Sequence, residues 1–162
     1  RVVASVVPLA VDTSGPALIA AAEAGARLLK PNREELADAV GTPLHTVGDV
    51  VRAAEWLRAK GVAAVLASLG ADGAVLVDAD GVTAGQAPVA TPRSSVGAGD
   101  ALLAGFLAAG AMGPDALAEA VAWGAAAVSL SGSQMPGPAD VHRTSVHIHR
   151  RPDPARPLRA RG

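Results

Sequence analysis

Short unbroken apolar runs alternate with stripes of helical spacing along the chain, separated by glycine and proline. Residues 2–7 and 9–12 are β-branched or apolar runs broken by Pro8. Thr13-Ser14-Gly15-Pro16 reads as a turn and helix start, with Ser14 as the candidate N-cap. A helix over residues 17–24 should then close at Gly25. Residues 27–30 form a short strand that Pro31-Asn32 ends. Asn32 caps a helix over residues 33–40, and Gly41 stops it. The clearest amphipathic helix covers residues 46–60, with Val50, Ala53, Ala54 and Leu57 at helical spacing and Gly61 as the stop.

Residues 62–67 have the unbroken apolar character of a buried strand. A glycine-rich loop follows, then a strand over residues 74–77, a turn at Asp80-Gly81 and a partner strand over residues 82–85. Helices are expected over residues 101–112 and from Pro114 to about Ser129. Strands and helices interleave, so the fold class is α/β with a largely parallel, helix-covered sheet.

Composition narrows this picture. Half of the 162 residues are hydrophobic, yet the aromatics are only Trp56, Trp123 and Phe106, so layers pack through Ala, Val and Leu. The absence of cysteine excludes disulfides, thiol catalysis and cysteine metal sites. A cytoplasmic setting is expected, with no signal peptide. The uncharged run 120–139 holds serines, Gln134 and two prolines in its second half, so it fails as a membrane span. Charge is uneven. From Val141 onward six Arg and three His face one acid, Asp153. Residues 142–162 therefore read as a solvated, basic Pro/Arg-rich tail after a domain over residues 1–141. No aromatic is interleaved with the arginines, which argues against a nucleic-acid arm.

Three segments could carry chemistry. Gly97-Ala98-Gly99-Asp100 precedes a helix. Glycines let the backbone approach an anion, and the unpaired amides of a helix start point at it. An acid there repels a phosphate, but it makes sense beside a phosphoryl group if it must accept a proton. The competing reading is a glycine-rich turn with Asp at a helix start. The third glycine of a dinucleotide fingerprint should fall at Leu102, and no Gly-Lys-Ser/Thr is present for a P-loop.

The second segment, Ser68-Leu69-Gly70-Ala71-Asp72-Gly73, follows an apolar strand, where open α/β sheets bind ligands. It reads as a nucleotide loop or as an ordinary strand connection. In the third, Asn32 and Glu35 lie three apart. They share a helical face and suit either water around Mg²⁺ or a capping box. None of His45, His142, His147 and His149 has a metal-ligand or triad context.

Taken in order, Val11 to Gly15, Leu29 to Leu36, Ser68 to Gly73 and Val96 to Asp100 resemble the PfkB carbohydrate kinases, over residues 9–141. Asp-Thr-Ser-Gly at positions 12–15 and Lys-Pro-Asn at 30–32 are similar to the branch acting on phosphosugars. Where many members have Asp-Thr, Ser94-Ser95 stands here, and Ser95 keeps the hydroxyl. The resemblance implies a ribokinase-like three-layer αβα sandwich with a mostly parallel sheet. It implies Asp100 as catalytic base, with Gly97, Ala98 and Gly99 forming the anion hole. It implies ATP contacts from Ser68, Leu69, Gly70, Ala71, Asp72, Gly73 and Gly99, and Mg²⁺ held through water by Asn32 and Glu35. The partners implied are ATP and a phosphosugar, first choice fructose 1-phosphate, with tagatose 6-phosphate and fructose 6-phosphate as alternatives. No nucleic acid and no membrane is implied, and a homodimer is allowed for the full-length enzyme. Family enzymes are about twice as long, so the N-terminal half, with the lid and most sugar contacts, is expected to be absent. An inactive nucleotide-binding fragment is the remaining alternative.

Overall fold

The computed structural model describes residues 8–159, so the apolar run expected over residues 2–7 lies outside the described residues. The elements are β1 (Ala10–Val11), α1 (Pro16–Glu23), β2 (Leu28–Leu29), α2 (Arg33–Val40), α3 (Val47–Ala59), β3 (Ala64–Ser68), β4 (Ala74–Asp78), β5 (Gly81–Gln86), α4 (Ala98–Ala108), α5 (Gly113–Ser129) and β6 (His147–Arg150). The strands form a mixed sheet in the order β1-β2-β3-β4-β5-β6. The α/β class is as expected, and β1, β2 and β3 are parallel, while β6 runs antiparallel to β5. Among the described residues no helix is long and apolar enough to cross a membrane.

The chain divides into two compact units. The first comprises residues up to Gly70, then Val75–Val82, then the segment from Arg151 onward. In its described part, Ala10 pairs with Leu28 and Leu28 with Ala64, which sets the first residues of three parallel strands level. Leu18, Leu29, Leu36, Leu57, Val47, Val50 and Val65 are fully buried and form its core. At about 25 cal/mol per Å² of apolar surface, side chains of this size are what stabilise such a unit.

Local chemistry sets the helix ends. Asn32 accepts from the Glu34 and Glu35 amides, and Gly41 closes α2 in the left-handed conformation at φ 70°. Thr46 and Asp49 form the same reciprocal box at the start of α3. Helix α1 departs from expectation, because its N-cap is Gly15 rather than Ser14. The chain reverses at Gly15 with φ 60°, Pro16 opens the helix, and no side chain caps it.

The second unit comprises Ala71–Ala74 and Thr83–Arg150. Helices α4 and α5 pack closely because Gly105 presents no side chain. A Cβ there would meet the Glu119 carbonyl oxygen at 2.9 Å and Trp123 at 2.9 Å. Gly85 is closed in likewise by Val121, Ile148 and Leu117. Helix α4 begins at Ala98, three residues before the expected start, because left-handed Gly97 (φ 76°) completes the turn by itself. It ends at Ala108 rather than near Met112, where Gly110 (φ 97°) and Ala111 (φ 59°) turn the chain out of the helix.

The basic segment expected to be a solvated tail is largely exposed, but it carries local structure. Residues His147–Arg150 pair with β5, from Gln86↔His147 to Thr83↔Arg150. His147 and His149 are exposed while Ile148 is half-buried, so one apolar residue anchors a polar strand. Beyond it, within the first unit, the chain straps the start of α3. The Val47 amide donates to the Arg156 carbonyl at 3.0 Å, Gly48 to Pro154 at 2.8 Å, and Leu158 to His45 at 2.8 Å. Backbone hydrogen bonds to amides that a helix start leaves unpaired, together with the burial of Leu158, order a sequence of disordered composition.

Candidate functional site

The residues singled out in the sequence fall in both units. Asn32, Glu35, Ser68, Leu69 and Gly70 belong to the first; Ala71, Asp72, Gly73, Gly97, Ala98, Gly99 and Asp100 belong to the second.

In the first unit these residues cluster at the C-terminal ends of the parallel strands. Ser68 closes β3, its amide donates to the Pro31 carbonyl at 3.0 Å, and Asn32 and Ser68 form an isolated parallel bridge. The start of the glycine loop therefore adjoins the Asn32–Glu35 turn. Asn32 Oδ1 accepts from the Glu34 and Glu35 amides at 2.9 Å each, and the Asn32 amide donates to Glu35 Oε2 at 2.8 Å. This is the capping box, one of the two readings open from the sequence. Among the described residues, no three His, Cys, Asp or Glu gather as a metal cluster.

The same strand ends hold an ion pair between two residues that the sequence marked only as parts of the two branch motifs. Lys30 is 5% exposed, and its Nζ lies 3.0 Å from Asp12 Oδ2. Burying a charge without a partner is costly, so Asp12 accounts for the lysine being there. The signal in the sequence lay in those motifs and in composition, since only Lys30 and Lys60 occur against twelve arginines. The pairing itself is non-local.

The second unit carries the Gly97–Asp100 turn. Gly97 is the N-cap of α4, no side chain caps the helix, and Asp100 stands exposed in its first turn. The Ala98 amide reaches the Ser95 carbonyl at 3.3 Å. Met135 Sδ lies 3.4 Å from where a Cβ on Gly97 would sit. First-turn amides without a side-chain cap suit an anion. In the glycine loop, Gly73 (φ 82°) passes so near β5 that a Cβ would fall 2.0 Å from the Gly85 carbonyl oxygen. Gln86 Nε2 also donates to the Asp72 carbonyl at 3.3 Å.

A groove of about 390 Å³ runs along α2 and α3, lined by Val40, Pro43, Leu44, Arg52 and Trp56 among others. It contains none of the candidate site residues named above.

Comparison with known proteins adds the following. The model of the pfkB family of carbohydrate kinases matches residues 3–140. A 1-phosphofructokinase of Haloferax volcanii is 43% identical over 143 residues, which is 86% of this chain and 47% of that protein. A 1-phosphofructokinase of Rhodobacter capsulatus is 45% identical over 136 residues, 80% of this chain and 42% of that protein. The crystal structure of phosphofructokinase-2 from Escherichia coli with substrates and products superposes with a TM-score of 0.73 at 34% identity, covering 81% of this chain and 44% of that one. The chain thus spans about half the length of the curated relatives it matches over most of its length.

Proposed function

The chain belongs to the pfkB family of carbohydrate kinases, and from that membership we propose that the protein carrying it moves the γ-phosphoryl group of ATP to a hydroxyl of a phosphosugar. The acceptor is fructose 1-phosphate and the product fructose 1,6-bisphosphate; relatives named 1-phosphofructokinase support this choice. The observation that carries the mechanism is the left-handed turn at Gly97, which sets Asp100 in a helix start that no side chain caps. The acceptor hydroxyl gives its proton to the Asp100 carboxylate as its oxygen bonds to the γ-phosphorus. The bond to the bridging oxygen breaks, and the electron pair leaves with ADP. Amides from Ala98 to Asp100 face the charge that develops on the phosphoryl oxygens. Catalysis here is positioning and electrostatics.

ATP lies along Ser68, Leu69, Gly70, Ala71, Asp72 and Gly73 in this reading, with Gly99 at its phosphates. Mg²⁺ would be held by Asn32 and Glu35 through water. The residues fit that role: Mg²⁺ keeps several waters and takes one or two carboxylates beside substrate phosphates. The capping box engages Oε2 of Glu35, one of two carboxylate oxygens. A cytoplasmic setting, a homodimer of the complete enzyme, and no nucleic-acid or membrane partner belong to the same reading.

The likeness to phosphofructokinase-2, whose structure with fructose 6-phosphate is 34% identical at a TM-score of 0.65, favours fructose 6-phosphate as an alternative acceptor. Because the chain covers about half of its relatives, we propose that by itself it binds adenine nucleotide weakly and turns over no sugar. The test is an assay of the chain, and of the complete gene product that carries it, with ATP, Mg²⁺ and fructose 1-phosphate, tagatose 6-phosphate or fructose 6-phosphate. The expected result is turnover by the complete product alone, fastest with fructose 1-phosphate. Faster turnover with another acceptor overturns the substrate assignment. Robust turnover by the chain overturns the view of it as half a catalyst.

A further inference from the structure

We infer that Asp12 is a positioning residue, which fixes the buried Lys30 ammonium at the strand ends as a point charge for a phosphate of the bound ligand. The inference rests on the kinase reading above. Asp12 directly follows β1 and Lys30 directly follows β2, and Val11 and Leu29 are register partners, so the two occupy matching places one residue past parallel strands. Ligands of open α/β sheets bind beyond such ends. The Lys30 side chain is 6% exposed and that of Asp12 is 34% exposed, so the pair opens to solvent on the carboxylate side. An ammonium has three protons to donate, and Asp12 Oδ2 takes one contact at 3.0 Å. A four-carbon side chain without a partner would lose this fixed direction to its rotamers. Two residues further on, the Asn32 turn meets Ser68, where the glycine loop begins.

The sign of one substitution separates positioning from simple electrostatics. Removing a negative charge near a phosphate should strengthen ATP binding if Asp12 acts only through its field. If Asp12 positions Lys30, Asp12→Asn should weaken ATP binding instead. Calorimetric titration of the complete gene product with ATP and with adenosine reads this directly. Asp12→Asn is expected to weaken ATP roughly three- to tenfold, and Lys30→Met roughly tenfold or more, with adenosine unchanged in both. Asp12→Glu should restore most of the loss, and the double variant should be no worse than Lys30→Met alone. A second readout needs no ligand: the Lys30 amine should resist acylation in the wild type and react in Asp12→Asn. Protection in both proteins overturns the holding role. Unchanged or tighter ATP binding by Asp12→Asn overturns the positioning role, as do parallel losses for ATP and adenosine. If the wild type binds no ATP, the kinase reading fails and the phosphate role falls with it, whereas the acylation result still decides whether Asp12 holds Lys30.

Discussion

Gly73 passes so close to Gly85 that a Cβ on Gly73 would lie 2.0 Å from the Gly85 carbonyl oxygen and 3.0 Å from Gln86 Cα. The obstruction is backbone, which a rotamer change cannot clear, and the positive φ of Gly73 adds strain for any other residue. Gly73→Ala should therefore destabilise the fold by about 3 kcal/mol or more. Gly70→Ala in the same loop meets nothing within 4 Å and carries only its φ of 60°. It should cost about 1 kcal/mol. Chemical denaturation of both variants checks the contrast, and equal losses would contradict it.

The strap over α3 depends on Gly48. A Cβ there would sit 2.9 Å from the Pro154 carbonyl oxygen, which is the acceptor of the Gly48 amide. Gly48→Ala should push the strap away and speed amide hydrogen exchange at Leu158 by roughly tenfold or more. Unchanged exchange at Leu158 would show that the strap is held from elsewhere.

Asn32 and Glu35 offer a choice between two roles. Asn32→Ala removes the acceptor for two amides and should cost about 1 kcal/mol by thermal melt. Glu35→Gln should raise the Mg²⁺ concentration needed for half-maximal turnover of the complete gene product. If Glu35→Gln lowers the melt by about 1 kcal/mol or less and leaves the Mg²⁺ requirement unchanged, the carboxylate acts in capping alone.

Acid should loosen the second unit through Glu119. Arg143 hydrogen-bonds this carboxylate and holds its pKa below the ordinary 4.5, with Trp123 assisting. A carboxylate whose folded pKa is depressed contributes stability above its unfolded value and loses it as pH falls through the folded one. Asp49 behaves alike, lowered from 3.8 by the His45 and Thr46 amides. Stability should thus decline as pH falls below about 4.5, and Glu119→Gln should flatten part of that decline. Melts of both proteins from neutral to acid pH provide the check, and parallel curves would remove Glu119 from the account.

Much of the fold was legible because its signals are local. Asn32 and Gly41 bound α2 as expected, since a cap and a left-handed stop act on the residues beside them. The β4–β5 turn, expected at Asp80-Gly81, lies one residue earlier at Ala79-Asp80, with Gly81 opening β5. The start of α4 was read three residues late, because glycine disfavours helix in isolation and only the φ of Gly97 shows that the turn is already complete. Strand β6 was hidden because His147, His149 and Arg150 are polar and their pairing partners, Gln86, Ala84 and Thr83, lie far earlier in the chain. The candidate motifs were visible as sequence, whereas the Asp12–Lys30 pair exists only once β1 and β2 lie in register.

Asp100 is the centre of the account, an acid exposed in the first turn of a helix whose amides suit a phosphate. The most direct test compares wild-type and Asp100→Asn forms of the complete gene product with ATP, Mg²⁺ and fructose 1-phosphate, measuring turnover and ATP affinity together. A general base contributes about 10²–10⁴-fold, so turnover should fall by that order. ATP affinity should hold or improve, because a negative charge beside the phosphates is gone. Near-normal turnover by Asp100→Asn would contradict the assignment of Asp100 as the base.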